Sequence, residues 1–148
     1  MRVAFGNDHA ASAELRTELI GYIEGLGHEV LDMGSDTEER VDYPDFACKV
    51  CTAVVGGEAD CGILVCGTGV GMSIAANKIR GIRAANVTLP AVAPLVREHN
   101  DANVLTLSSR FVNTEENKQI IKVFLETDFA GGRHAQRVAK MMDFEERR

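Results

Sequence analysis

Hydrophobic and polar positions follow two rhythms along this chain. Short unbroken apolar runs mark buried parallel strands, and stretches where apolar residues return every three or four positions mark amphipathic helices. Val3-Ala4-Phe5 is a run of the first kind, followed by the polar loop Gly6-Asn7-Asp8-His9. From Ser12 to Leu26, the residues Leu15, Leu19, Ile23 and Leu26 share one face and predict a helix, which Gly27 stops. His28 to Met33 reads as a second strand, and Gly34 to Arg40 as a polar loop. Asp42-Tyr43-Pro44 opens a second helix with Phe46, Ala47, Val50 and Val54 on one face, ended by Gly56-Gly57.

The third run, Ile63-Leu64-Val65, breaks into Gly67-Thr68-Gly69-Val70-Gly71 before a helix that starts near Ser73. Gly81–Val87 predicts a fourth strand, and Leu89–Glu98 a helix with Pro90 in its first turn, where proline is tolerated. A polar connector, His99 to Asn103, leads into a fifth strand at Val104–Leu107, closed by Ser108-Ser109-Arg110. Thr114 to Thr127 reads as a helix with Thr114 as N-cap and Ile120, Val123 and Phe124 inward. Gly131-Gly132-Arg133-His134 opens a last helix, Ala135 to Arg147. Strands alternating with helices predict an α/β protein: a three-layer α/β/α, Rossmann-like domain with a five-stranded parallel sheet, undivided over residues 1–148. The terminal helix has little core left to join and is expected to reach across a partner subunit.

Composition narrows the function classes. With aromatics at 5%, no tryptophan and a net charge of −6, the chain offers neither a stacking platform nor a basic face for nucleic acid or an anionic membrane. A small phosphorylated ligand needs only a few local cations and stays open. There is no leader pattern or apolar run of membrane-span length, and four cysteines follow no secreted-scaffold spacing, so a cytoplasmic protein is expected.

Candidate chemistry gathers where strands end, because loops at the carboxyl edge of a parallel sheet hold ligands. The glycine turn after the third strand suits an anion, with backbone N–H groups free to approach it closely. Met72 stands where a dinucleotide fingerprint needs its third glycine, and Gly71-Met72-Ser73 lacks the lysine of a triphosphate loop. Cys66, at the junction of strand and turn, is placed to serve as base or nucleophile. An ordinary tight turn with a half-buried cysteine would look the same in isolation. The other loop positions are Asp8 and His9, Tyr43, Thr68 and Arg110; His99 and Asn100 precede a strand and fall at the opposite edge. Arg133 and Arg137 share a helical face that could grip a phosphate or simply be solvated. Cys48-x-x-Cys51, with Cys61 and Cys66, could sketch a zinc site, but lying inside an amphipathic helix without histidine it reads as packing.

Seven ordered segments decide between these readings: Gly6–Ala10, Asp42–Pro44, Cys66–Lys78, Gly81–Ala85, Arg97–Leu105, Ser108–Arg110 and Gly131–Arg137. Together, over nearly the whole chain, they resemble ribose-5-phosphate isomerase type B, within the small sugar-phosphate aldose–ketose isomerases that include the allose- and galactose-6-phosphate enzymes. The resemblance implies a ribose 5-phosphate–ribulose 5-phosphate isomerase working through an enediolate without metal or cofactor, a six-carbon sugar phosphate being the alternative. It implies Cys66 as base, Thr68 as the hydroxyl serving O1 and O2, and an anion hole from the Gly67, Gly69 and Gly71 turn with Asn100. His99 is implied as ring-opening acid/base, with Asp8 and Tyr43 on sugar hydroxyls and His9, Arg110, Arg133 and Arg137 on the phosphate. It further implies a homodimer, or dimer of dimers, with active sites shared between subunits. Some members carry a glutamate in place of the cysteine, just after the last glycine of the turn; here Met72 and Cys66 make a consistent cysteine type. Asn7 and the loop Ser35–Val41 leave substrate choice open. A phospho-receiver module fails on its acidic pair, phosphorylatable aspartate and lysine. A non-catalytic sugar-phosphate sensor would be expected to have lost Cys66.

Overall fold

The structure, a computed structural model, describes residues 1–147. Its strands are β1 (Arg2–Asn7), β2 (Glu29–Asp32), β3 (Cys61–Cys66), β4 (Ala84–Asn86) and β5 (Val104–Ser108). Its helices are α1 (Ala13–Gly25), α2 (Tyr43–Val55), α3 (Val70–Ala76), α4 (Ala93–Glu98), α5 (Thr114–Glu126) and α6 (Arg133–Met142). The strands pair in parallel, in the order β2-β1-β3-β5-β4. The α/β class and the five-stranded parallel sheet are as the apolar runs predict.

Alternation along each strand builds the layers. Val3, Phe5, Ile63, Val65, Leu105 and Leu107 point to one face and pack with α1, α4 and α5. Ala4, Leu64, Cys66 and Val104 point to the other and meet α2 and α3. Phe5, Leu19, Ile23, Ile63, Leu64, Leu105, Ile120 and Phe124 are almost wholly buried, each contributing about 1.5–3 kcal/mol over exposure. The α2 side is drawn in tight: a Cβ on Gly62 would lie 2.6 Å from Val50 Cγ1, so only glycine lets α2 come this close to β3.

Several boundaries differ from the sequence expectation for local reasons. Asn113, not Thr114, caps α5, accepting the Glu116 N–H at 2.9 Å. The expected helix from Leu89 is split, because Pro94 follows Pro90: a 3₁₀ turn at Pro90–Val92 precedes the six residues of α4. The fourth strand is only three residues long, since Asn77 and Asn103 side chains take the backbone groups flanking it. Helix α3 starts earlier than Ser73, at Val70, and the last helix starts at Arg133 and turns 3₁₀ from Asp143. That last segment folds back on the same chain: the Glu145 carboxylate accepts the Gly81 N–H at 3.0 Å, and Val138 is buried.

Candidate active site

In this sheet β1 and β3 are neighbours, while the chain leaves β1 toward β2 on one side and runs from β3 toward β5 and β4 on the other. The crevice beyond their carboxyl ends is where such folds bind ligands. Register brings three loops level there, with Asn7 opposite Val65 and Cys66 opposite Ser108. Backbone bonds extend the pairing past the strands: Asp8 N–H to Val65 O at 3.1 Å, Ser109 N–H to Cys66 O at 2.9 Å and Arg110 N–H to Gly67 O at 3.1 Å. The result is a cavity of about 200 Å³ lined by Asp8, His9, Tyr43, Cys66, Gly67, Thr68, Gly71 and Arg110, with Ala10.

Cys66 is 4% exposed, and its sulfur accepts the Gly69 N–H at 3.1 Å. That bond aims a backbone donor at the sulfur. It depends on the left-handed backbone of Gly69, φ 79°, which turns the amide back toward the thiol. The Thr68 hydroxyl accepts the Val70 N–H at 3.2 Å, leaving its own proton to donate. Asp8 is buried, with one carboxylate oxygen on the Ala10 N–H at 2.9 Å. His9 Nδ1 accepts the Val41 N–H at 3.3 Å, so Nε2 bears the ring proton. Tyr43, at the first position of α2, reaches over α3: a Cβ on Gly71 would lie 2.8 Å from its Cζ. The Arg110 guanidinium covers Gly67, within 3.2 Å of where a Cβ would stand.

The remaining expected residues are not in this cavity. His99 and Asn100 follow α4 at the amino-terminal end of β5, a strand-length of roughly 15 Å from the Cys66 edge. Asn100 lines a different cavity, of about 280 Å³, with Asn77, Arg83, Ala84, Ala85, Ala102 and Met141. The His99 ring stacks on that of His134, centroids 4.3 Å apart and planes 13° from parallel. Arg133 and Arg137 flank His134 on α6, both exposed. Behind this group Asp101, at φ 47°, holds Arg83 at 3.0 Å and Arg97 at 3.3 Å. One chain therefore carries two partial arrays, one at each end of the sheet.

Some supporting side chains went unread in the sequence. The Ser108 hydroxyl donates to Gly67 O at 2.8 Å and accepts the Phe111 N–H at 3.0 Å, tying the glycine turn to the Arg110 loop. The Asn86 amide donates to Thr68 O at 3.4 Å. His134 lies within Gly131–Arg137, but nothing in its spacing points to His99; that neighbour comes from α6 folding onto the end of α4. His134 titrates below the usual histidine range, chiefly through burial, then through His99, Arg133 and Arg137 beside it, with Glu98 opposing. The other cysteines do not gather: Cys48 is exposed, while burial pushes Cys51 and Cys61 up to about 12. Among the described residues, no cluster of three His, Cys, Asp or Glu side chains is placed to hold a metal ion, and no helix is long and apolar enough to cross a membrane.

A parallel α/β domain with a hydrogen-bonded thiol in a glycine turn, ringed by aspartate, histidine and arginine, offers the kinds of group that proton transfer on a small anionic substrate calls for. Comparison with known proteins gives the family. A family model described as Ribose/Galactose Isomerase matches residues 3–141, and the chain belongs to that family. Ribose-5-phosphate isomerase B of Escherichia coli strain K12 is 48% identical over 147 residues, 99% of this chain and 98% of the relative. The solved ribose-5-phosphate isomerase B of Clostridium thermocellum superposes with a TM-score of 0.96 at 46% identity, covering 99% of both chains. That of Mycoplasma genitalium, solved with bound ribulose-5-phosphate, superposes at 0.93 with 40% identity, covering 98% of this chain and 96% of that one.

Proposed function

We propose that this protein interconverts ribose 5-phosphate and ribulose 5-phosphate without metal or cofactor, with Cys66 as the base, at sites completed by a second copy of the chain. The observation that carries the reading is the Cys66 sulfur held by the Gly69 N–H in a cavity shared with Asp8, His9, Tyr43, Thr68 and Arg110. The family relatives act on, or bind, the same pair of sugar phosphates.

The reaction moves a proton from C2 to C1 and another from O2 to O1. Cys66, as thiolate, takes the C2 proton; the C2–H electrons form the C1–C2 double bond while the C1–O1 π pair moves onto O1, giving an enediolate; as the O2 proton passes to O1 and O2 becomes the carbonyl oxygen, the sulfur returns its proton to C1. Developing charge on the oxygens needs donors fixed in advance, and the turn amides and the free Thr68 proton are such donors. The His9 Nε2 proton and the Arg110 guanidinium suit the phosphate.

A ring-closed aldose must first be opened, which calls for an acid/base beyond Cys66, with Asp8 and His9 of this cavity already given to the sugar hydroxyls and the phosphate. His99 suits that task, and Arg133 and Arg137 suit a phosphate, but only if a second copy brings its opposite sheet end to this cavity. Exposed apolar side chains support such a contact: Val70 and Ile74 on α3, Leu89 and Leu95 about α4, and Phe111 beside Arg110, the last 76% exposed.

The direct test is NMR observation of ribose 5-phosphate conversion by purified protein with EDTA present, beside allose 6-phosphate and galactose 6-phosphate. Rapid pentose turnover unaffected by chelator is expected. Turnover of a hexose phosphate alone would keep the chemistry and overturn the substrate, and no turnover at all would favour a sensor.

A further inference from the structure

The His99–His134 pair is the one close pairing of titratable rings in the described residues whose second member has no part in the chemistry set out above. We infer that His134 is a positioning residue, whose ring, stacked on the His99 imidazole, fixes the plane of that ring for sugar-ring opening and joins it to the arginine face of α6. This rests on the isomerase reading.

Three observations support it. First, the stack is close and nearly parallel, at 4.3 Å and 13°, so close that neither ring can tilt without meeting the other. His99 ends a helix of only six residues and leads into an exposed Asn100, so backbone alone holds its ring loosely. His134 is 8% exposed and supplies a fixed wall.

Second, the chain secures that wall to the end of α4. The Ala130 N–H bonds Glu98 O at 3.1 Å, Gly131 and Gly132 turn the backbone at φ 64° and 55°, and the His134 N–H closes the turn on Gly131 O at 3.0 Å. His134 and Val138 then form the buried side of α6, leaving Arg133 and Arg137 outward one turn apart. Grip and acid/base are thereby held in one unit, and a small error in such placement costs rate steeply.

Third, the charges suit a neutral wall. Arg133 and Arg137 on α6 and His99 on the end of α4 all oppose a proton on His134, and only Glu98 favours one. An uncharged ring can lie face to face with His99 whether or not His99 carries the proton it passes to the sugar.

The test separates ring opening from enolisation. Ribulose 5-phosphate is open-chain, so exchange of its C1 hydrogen for deuterium in D2O needs the base and the phosphate grip but no ring opening. With His134→Ala, conversion of ribose 5-phosphate should slow in kcat by roughly 10- to 100-fold, while C1 exchange on ribulose 5-phosphate stays near wild type. His134→Phe, which keeps a flat ring, should recover most of the loss. Equal loss in both assays would mean that His134 merely holds the helix or the grip, and would overturn the inference. So would a His134→Phe variant as slow as the alanine variant, or an alanine variant as fast as wild type. Wild-type protein inert in both assays would instead overturn the isomerase reading, and this inference with it.

Discussion

Gly71→Ala should separate stability from activity. Gly71 lies inside α3 with helical backbone, so alanine there gains about 0.8–1 kcal/mol of helix propensity. Against this, the new Cβ would stand 2.8 Å from Tyr43 Cζ, 2.9 Å from Cε2 and 3.1 Å from the phenol oxygen. Carbon atoms rest at about 3.5–4.0 Å, so the ring must retreat by roughly 1 Å. Tyr43 is 39% exposed and can swing toward solvent, which keeps the steric cost to about 1 kcal/mol. The two terms nearly cancel, and the melting temperature should stay within about 3 °C of wild type. The cavity that holds Cys66, however, loses its Tyr43 wall. A loss of about tenfold in kcat/KM is expected, equivalent to about 1.4 kcal/mol of transition-state stabilisation. Because the effect runs through one ring, Gly71→Ala should change little in a Tyr43→Ala background, a coupling of about 1.4 kcal/mol in the double-mutant cycle. Equal losses in both backgrounds, or an unchanged kcat/KM in the single variant, would refute the reasoning.

Three further outcomes follow from the same geometry. Cys66→Ala should lower kcat by roughly 10²- to 10⁴-fold with substrate binding nearly intact, because a base acts in the transition state; calorimetric titration beside single-turnover kinetics checks both halves, and near-normal turnover would remove Cys66 from the chemistry. Arg137→Ala should raise KM by about 10- to 100-fold, the worth of one charge-assisted bond to phosphate, and an unmoved KM would take Arg137 off the phosphate. The buried thiols of Cys51 and Cys61, pushed from 9.0 to about 12, keep their protons in the fold while the unfolded chain loses them above pH 9; their contribution to stability should be flat below pH 9 and fall above it, by about 1.4 kcal/mol per thiol at pH 10, and melting curves of a Cys51→Ala/Cys61→Ala variant should lack that part of the fall.

The fold was legible because each central strand is an unbroken apolar run and each long helix has a regular face: Leu19 and Ile23, or Ile120 and Phe124, say which side is inward. The Cys66 half of the site was legible for a related reason. Asp8, Cys66 and Arg110 each stand within three residues of the end of an apolar run, and in a parallel sheet that puts them at one edge. What stayed hidden depends on contacts distant in the chain. Asn77 and Asn103 hold the amino-terminal end of β4 through side-chain bonds that no hydrophobic pattern encodes. Ser108 looked like a strand-end hydroxyl until its partners, Gly67 and Phe111, came into register. The return of Glu145 to Gly81, and of His134 to His99, depends on where two glycines send the last helix.

The separation of the two arrays within one chain makes the shared-site proposal open to a mixing experiment that needs no structure of the assembly. Suppose Cys66 of one copy works with Arg137 of another. Cys66→Ala and Arg137→Ala are then each defective in every site of their own homodimers. In a mixed dimer, however, one site joins the intact Cys66 array to the intact Arg137 array, while the other site carries both lesions. Random reassortment of equal amounts makes half the dimers mixed, each with one good site of two, so activity should rise to about a quarter of wild type. It should rise at the rate of subunit exchange, and only after conditions that permit exchange. If both arrays served a site within a single chain, every site would keep one lesion however the subunits were paired. Mixing would then yield only the average of the two variants, and the shared site would have to be abandoned.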